Sequence, residues 1–249
     1  MKKMFCAVAM IALFTVAAMA ADSAKPTQHY TGGETVKVGV PSSIVTVCTK
    51  RNCFFYGGDL NVNDTNAAGL SDENSLFIPD SLTYAPITPA TTETVHGIFF
   101  NIQTSDIPTA PFTGSYDIRT GVSEGNGGTS VGSGTNVTIG GKNTGRTFIG
   151  VNEFSVVAIV NPPVTLQAGT TYWFNVVANC TNSSDSACSS GRGFVSNTTQ
   201  ETNAINGSWQ NNNQLYLNSA FFGFSWANWC DSSLGLNTQQ CADLSFGLF

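Results

Sequence analysis

The chain has 249 residues, only 10% of them charged, and sixteen acidic side chains outnumber ten basic ones for a formal net charge of −6. That balance argues against nucleic acid or an anionic membrane surface as a partner. With 17 Phe and 41% hydrophobic residues the chain carries too much apolar surface for disorder, and its shortage of charge argues against exposed helix faces.

Residues 1–20 read as a secretory signal peptide. Lys2 and Lys3 precede an apolar run from Ala7 to Ala18, and Ala18-Met19-Ala20 supplies small residues at the cleavage site. The run is too short to span a bilayer, and no later stretch approaches the length a transmembrane helix needs. Cleavage removes two basic residues and Cys6, so the mature chain carries sixteen acids against eight bases and six cysteines. The expected address is therefore secreted or extracellular, with the periplasm or cell surface as variants. An even cysteine set in an exported chain reads as disulfides. The close spacings give Cys48–Cys53, Cys180–Cys188 and Cys230–Cys241 as the expected bonds, since local pairing asks least of the fold.

Residues 21–35 read as a flexible segment, and 36–249 as one domain. Within that domain no stretch sustains a helical apolar period. Short β-branched or aromatic runs recur instead, punctuated by Gly, Pro and Asn. They predict strands at 36–40, 44–49, 53–56, 75–78, 81–85, 94–103, 115–120, 136–139, 147–160, 171–178, 191–196, 214–217 and 242–249. About a dozen strands without helices predict an all-β fold, a single antiparallel β-sandwich of jelly-roll type. Residues 94–103 carry apolar groups on both faces, as a covered central strand requires. Six glycines in 121–134 suit a bent hairpin.

Three stretches resemble strands of exported bacterial β-sandwich proteins of the PEP-CTERM or choice-of-anchor type. They are Tyr116-Asp117-Ile118-Arg119-Thr120-Gly121-Val122 with the glycines after it, Leu166-Gln167-Ala168-Gly169-Thr170-Thr171-Tyr172-Trp173-Phe174, and Asp243-Leu244-Ser245-Phe246-Gly247. The resemblance spans about 53–249 and implies a fold and an address, with no catalytic residue to carry over. The sequence given ends at its last predicted strand, without the sorting anchor of that group.

Two constellations are candidates for binding. Asp59, Asn61, Asn63, Asp64, Asp72 and Glu73 place oxygen donors through a loop with no Lys or Arg, as a structural Ca²⁺ would require. An Asx-rich turn makes the same pattern without a metal. Trp209, Trp226 and Trp229 lie in polar stretches, where exposed rings would bind the apolar face of a sugar; packing of a long loop is the alternative. Trp173, mid-strand among apolar residues, reads as core. Catalytic signals are thin. His29 and His96 are the only histidines, and Glu124, Glu153 and Asp117 are unremarkable among sixteen acids. The Asn-x-Ser/Thr triplets at Asn63, Asn136, Asn179, Asn182, Asn197 and Asn206 follow from composition if the chain is bacterial. The expectation is a non-catalytic structural or interaction protein with a polysaccharide or surface-protein partner. The alternative is a carbohydrate-binding module, with a glycoside hydrolase as a remote third.

Overall fold

The computed structural model describes residues 27–29, 48, 52–61, 68–104, 112–148, 150–180, 193–198, 203–231 and 243–249. The expected signal peptide, the predicted strands before residue 52 other than Cys48, and Asn63, Asp64, Cys188 and Cys241 lie outside them. Among the described residues there is no α-helix, and the chain forms fifteen strands joined in one large curled sheet.

The strands are β1 (Thr27–His29), β2 (Phe55–Tyr56), β3 (Ala68–Ser71), β4 (Asn74–Ser75), β5 (Ser81–Ile87), β6 (Glu93–Thr104), β7 (Phe112–Thr120) and β8 (Thr129–Phe148). They continue as β9 (Val151–Leu166), β10 (Tyr172–Cys180), β11 (Gly193–Thr198), β12 (Tyr216–Ser219), β13 (Phe224–Asn228), β14 (Asp243–Leu244) and β15 (Phe246–Leu248). The main path runs β1-β3-β11-β6-β9-β8-β7-β10-β5-β12-β13, with β2, β4, β14 and β15 attached beside it. Pairing is antiparallel except where β4 joins β10. The all-β expectation holds, and the segment expected to be flexible contributes β1, which pairs with β3.

The curl is what gives the sheet a core. Inner-face residues from both arms meet in a single cluster that includes Ile98, Phe100, Val156, Ala158, Phe174, Val176, Leu217 and Trp229. Phe246 of β15 sits at its centre, with ring centroids 4.9 Å from Phe55, 5.2 Å from Phe100 and 6.1 Å from Phe174. One aromatic ring thus ties β2 and β6, which both pair with β15, to β10 across the core. Trp173 is buried as expected, its indole N–H donating to the Gln214 carbonyl at 2.7 Å.

β6 is a central strand, bonded to β9, β11 and β15. A register shift between Val95 and Gly97 changes the phase of its alternation. Val95 therefore joins Ile98, Phe100 and Ile102 in the core, while His96 is exposed. A bulge also interrupts the long β8–β9 hairpin between Asn143 and Thr147. There Gly145 has φ +83°, a conformation that suits glycine. The bulge brings Thr144 and Arg146 onto Glu153, and both are buried.

The far arm of the sheet is latched. The turn after β7 reaches across to β13, where Gly125 N–H donates to the Trp226 carbonyl at 3.1 Å and Asn228 N–H donates to Glu124 Oε2 at 2.8 Å. Backbone groups on a strand edge are thereby satisfied, as edge protection demands.

Candidate functional site

The densest cluster of titratable side chains surrounds Arg146. The β8 bulge delivers its guanidinium between two carboxylates: Nε donates to Glu153 Oε2 at 2.5 Å, and Nη1 lies 2.7 Å from Asp59 Oδ1. The second contact is ionic rather than a well-aligned hydrogen bond. Glu153 is fully buried on β9 and also accepts from Thr144 Oγ1 at 2.8 Å and Ser196 Oγ at 2.6 Å. Asp59 accepts from the Tyr56 hydroxyl at 2.5 Å and from Asn203 Nδ2 at 2.6 Å.

The network spreads along the outer face of β6. Asn101 Nδ2 donates to Ser245 Oγ at 2.7 Å and to the Tyr56 oxygen at 3.1 Å, and Ser155 Oγ donates to Asn101 Oδ1 at 2.6 Å. Gln103 Nε2 donates to Ser196 Oγ at 3.0 Å. Its chemistry is that of a clasp. Burial alone would lower the Arg146 pKa, but Glu153, Tyr56 and Asp59 outweigh it and raise it, so the guanidinium stays charged. Burial, with Asp59 beside it, pushes the Tyr56 hydroxyl well above the usual phenol range. A permanent cation and a permanently neutral phenol do not exchange protons near neutral pH.

A second buried network lies where β3 meets β4. Asp72 Oδ1 accepts from Thr83 N–H at 3.1 Å and from Asn175 Nδ2 at 2.6 Å. Its Oδ2 is buried without a hydrogen-bond partner among the described residues. Burial holds the Asp72 pKa well above the usual carboxylate range; the Thr83 and Asn175 bonds act the other way and Glu73 adds to the rise. Glu73 accepts from Ser71 Oγ at 3.0 Å and Gly193 N–H at 3.2 Å. The adjoining pocket has about 30 Å³ of room, with walls from Ile102, Val156 and Val177. That is space for water and little else.

The expected calcium ligands are thus dispersed. Asp59 belongs to the Arg146 network and Asp72 and Glu73 to the other; Asn61 is half-buried. Among the described residues no three Asp, Glu, His or Cys side chains converge as a metal would need. Arg146 stands beside Asp59 where the sequence, scanned locally, shows no competing base.

The three loop tryptophans also part company. Trp229 is 0% exposed, within the main core, and so cannot offer a face to a sugar. Trp209 is half-buried against that core, its ring 6.4 Å from Phe55 and nearly parallel to it. Trp226 has φ +52°, an uncommon backbone for a bulky residue. Tyr84 lies 4.6 Å from its ring, the Arg119 guanidinium carbon 5.1 Å from the ring centroid, and Gly127 packs closely against it. Trp226 is held by the β7 turn, with Arg119 bound in turn to Asp117 at 2.5 Å.

The Cys48–Cys53 disulfide is formed and buried against Phe99 and Tyr56. Cys180 and Cys230 are also disulfide-bonded. Arg146, Tyr56 and Asn101 had no role in the sequence reading. The available signal was the Asn143-Thr144-Gly145-Arg146 run, a bulge sequence inside an otherwise extended stretch. Compared with family models, with curated proteins and with solved structures, the chain matches none.

Proposed function

We propose that the chain is a non-catalytic exported protein whose β-sheet domain has a structural or interaction role at or beyond the cell surface. The observation that carries this reading is the Asp59–Arg146–Glu153 clasp, whose buried charged groups bind one another and the surrounding strands. General acid–base catalysis needs groups that change protonation near the working pH and can reach a substrate. Arg146 and Tyr56 are both pushed away from that range. Export is supported by the signal-like residues 1–20 and by the Cys48–Cys53 bond, which belongs to an oxidising compartment. The resemblance of residues 116–128 to exported bacterial β-sandwich proteins points the same way.

The test is to express the full chain in a bacterial host, fractionate the cells, and sequence the N-terminus of the recovered protein. The expected product begins at Ala21, is found outside the cytoplasm, and releases no reducing sugar from a polysaccharide panel. Retention in the cytoplasm with Met1 intact would refute the export half. Hydrolysis abolished by Glu153→Gln would replace the non-catalytic reading with a hydrolase. Saturable polysaccharide binding abolished by Trp209→Ala or Trp226→Ala would replace it with a carbohydrate-binding one.

A further inference from the structure

Two apolar tips protrude from neighbouring positions at one end of the sheet. Glu73 and Ser81 form an antiparallel bridge, and Ser81 pairs in turn with Ser219. Between the first pair, β4 gives way to residues 76–80, which leave the sheet, and residues 220–223 form the turn between β12 and β13 just beyond the second. Leu76 is 44% exposed, Phe77 56% and Phe221 47%, three large apolar side chains held out by two adjacent loops. The Phe222 ring meets Phe221 edge-on at 5.0 Å.

Both tips are preorganised. Ser75 Oγ accepts from the Phe77 and Ile78 N–H groups at 3.3 and 3.0 Å, and Leu76 N–H donates to the Cys180 carbonyl at 3.2 Å. Ile78 is buried beneath, which anchors the first loop. In the second, Gly223 N–H donates to the Ala220 carbonyl at 3.2 Å and Phe222 N–H to Ser219 Oγ at 3.4 Å. These bonds direct the loops' polar backbone groups inward and leave Leu76, Phe77 and Phe221 outside.

We propose that these tips dock the protein on an uncharged lipid surface, one of zwitterionic headgroups. Area and charge choose this occupant. The three exposed side chains offer on the order of 300 Å² of apolar surface, taking roughly 200 Å² for a whole aromatic side chain. Two copies joined through them would bury about half of what a stable protein interface needs. A bilayer needs no complementary partner surface, because each apolar side chain enters the headgroup boundary by itself. Asp80 is the only charged residue in 74–80 or 220–224, so neither tip carries a base for anionic lipid.

This inference deepens the interaction role proposed above, and its failure would leave the tests of export and hydrolysis untouched. The experiment is flotation of the mature chain with vesicles of phosphatidylcholine alone and of phosphatidylcholine mixed with phosphatidylglycerol. The wild type is expected to float with the neutral vesicles and less with the anionic ones. Each of Phe77→Ser and Phe221→Ser should weaken binding about tenfold, as loss of a half-exposed phenylalanine would. Both variants should melt with the wild type, because the side chains removed are exposed. Ile159→Ser is the control: Ile159 is 60% exposed but lies in β9, and its loss should leave flotation unchanged. Absence of flotation, equal flotation of the tip variants, or tighter binding to anionic vesicles would overturn the proposal. So would a wild-type dimer that the tip variants abolish, which would assign the tips to a second copy.

Discussion

Replacing Arg146 with methionine isolates what the buried clasp contributes. Met matches much of the side chain's length and removes only its charge and donors. Glu153 then keeps its bonds from Thr144 and Ser196 but loses the guanidinium at 2.5 Å, and Asp59 loses the one at 2.7 Å. The charged hydrogen bond to Glu153 contributes about 1.5–3 kcal/mol, and leaving the buried Asp59 carboxylate without its cation brings the cost to about 3–5 kcal/mol. Measured losses on removing one partner of a buried ion pair fall in the same range, about 3–5 kcal/mol. Against a typical total of about 5–15 kcal/mol, that is a large share of the stability. Urea unfolding followed by tryptophan fluorescence reads it directly, provided the slope with denaturant stays constant. Arg146→Lys should recover part of the loss, since an ammonium restores the charge but not the planar fork. Arg146→Met with Glu153→Leu should cost less than the two single changes together, because the second removes a carboxylate that the first leaves unpaired. A cost below about 1 kcal/mol for Arg146→Met would refute the reasoning, since an exposed pair has that value.

Three further outcomes are expected. Burial pushes the Asp243 carboxyl up to about 6 and raises Asp72 as well, so the folded state binds these protons more tightly than the unfolded chain. Their contribution is full below about pH 4 and is lost as pH rises, for Asp243 through about 6; Asp243→Asn should flatten that part of a stability-against-pH series. Cys48→Ala with Cys53→Ala opens a bond of sequence separation 5 and should cost about 2 kcal/mol on the chain-entropy estimate, measured by thermal or urea unfolding. Melting in EDTA and in millimolar Ca²⁺ should give the same midpoint, because the Arg146 guanidinium already neutralises Asp59; a rise with Ca²⁺ would return the calcium reading to Asn63 and Asp64.

What the sequence made legible was whatever depends on near neighbours. Alternation and β-branched runs placed β5, β6, β7, β10 and β12 within a few residues, and the apolar setting of Trp173 marked it as core. The single strand expected at 147–160, by contrast, straddles the turn from β8 into β9, which continues to Leu166. The strand at Ala68–Ser71 escaped because Ala-Gly-Leu-Ser has little intrinsic strand character. It is a strand because β1 and β11 pair with it from either side. The length of β8 escaped for a similar reason, as Gly, Thr and Asn become extended there through pairing with β7 and β9. Tertiary pairing overrides local propensity in such segments.

The candidate site was illegible in a stronger sense. Asp59 was read beside Asp64 and Asp72, its neighbours in sequence, and the absence of a base among them suggested a cation. Its actual counterion is Arg146, distant in sequence and delivered by a bulge that sets residues 144–146 opposite the single residue Glu153. Charge complementarity over that separation is fixed only once β6, β8 and β9 are in register. The same folding step that hides Phe100 in the core turns Asn101 and Gln103 outward, where they meet Ser155, Ser245 and Ser196. Those polar groups require partners because the segment carrying Tyr56 and Asp59 covers that face. The clasp is therefore a consequence of the sheet's second face being buried, and a sequence pattern that specifies two covered faces of β6 does not specify what covers them.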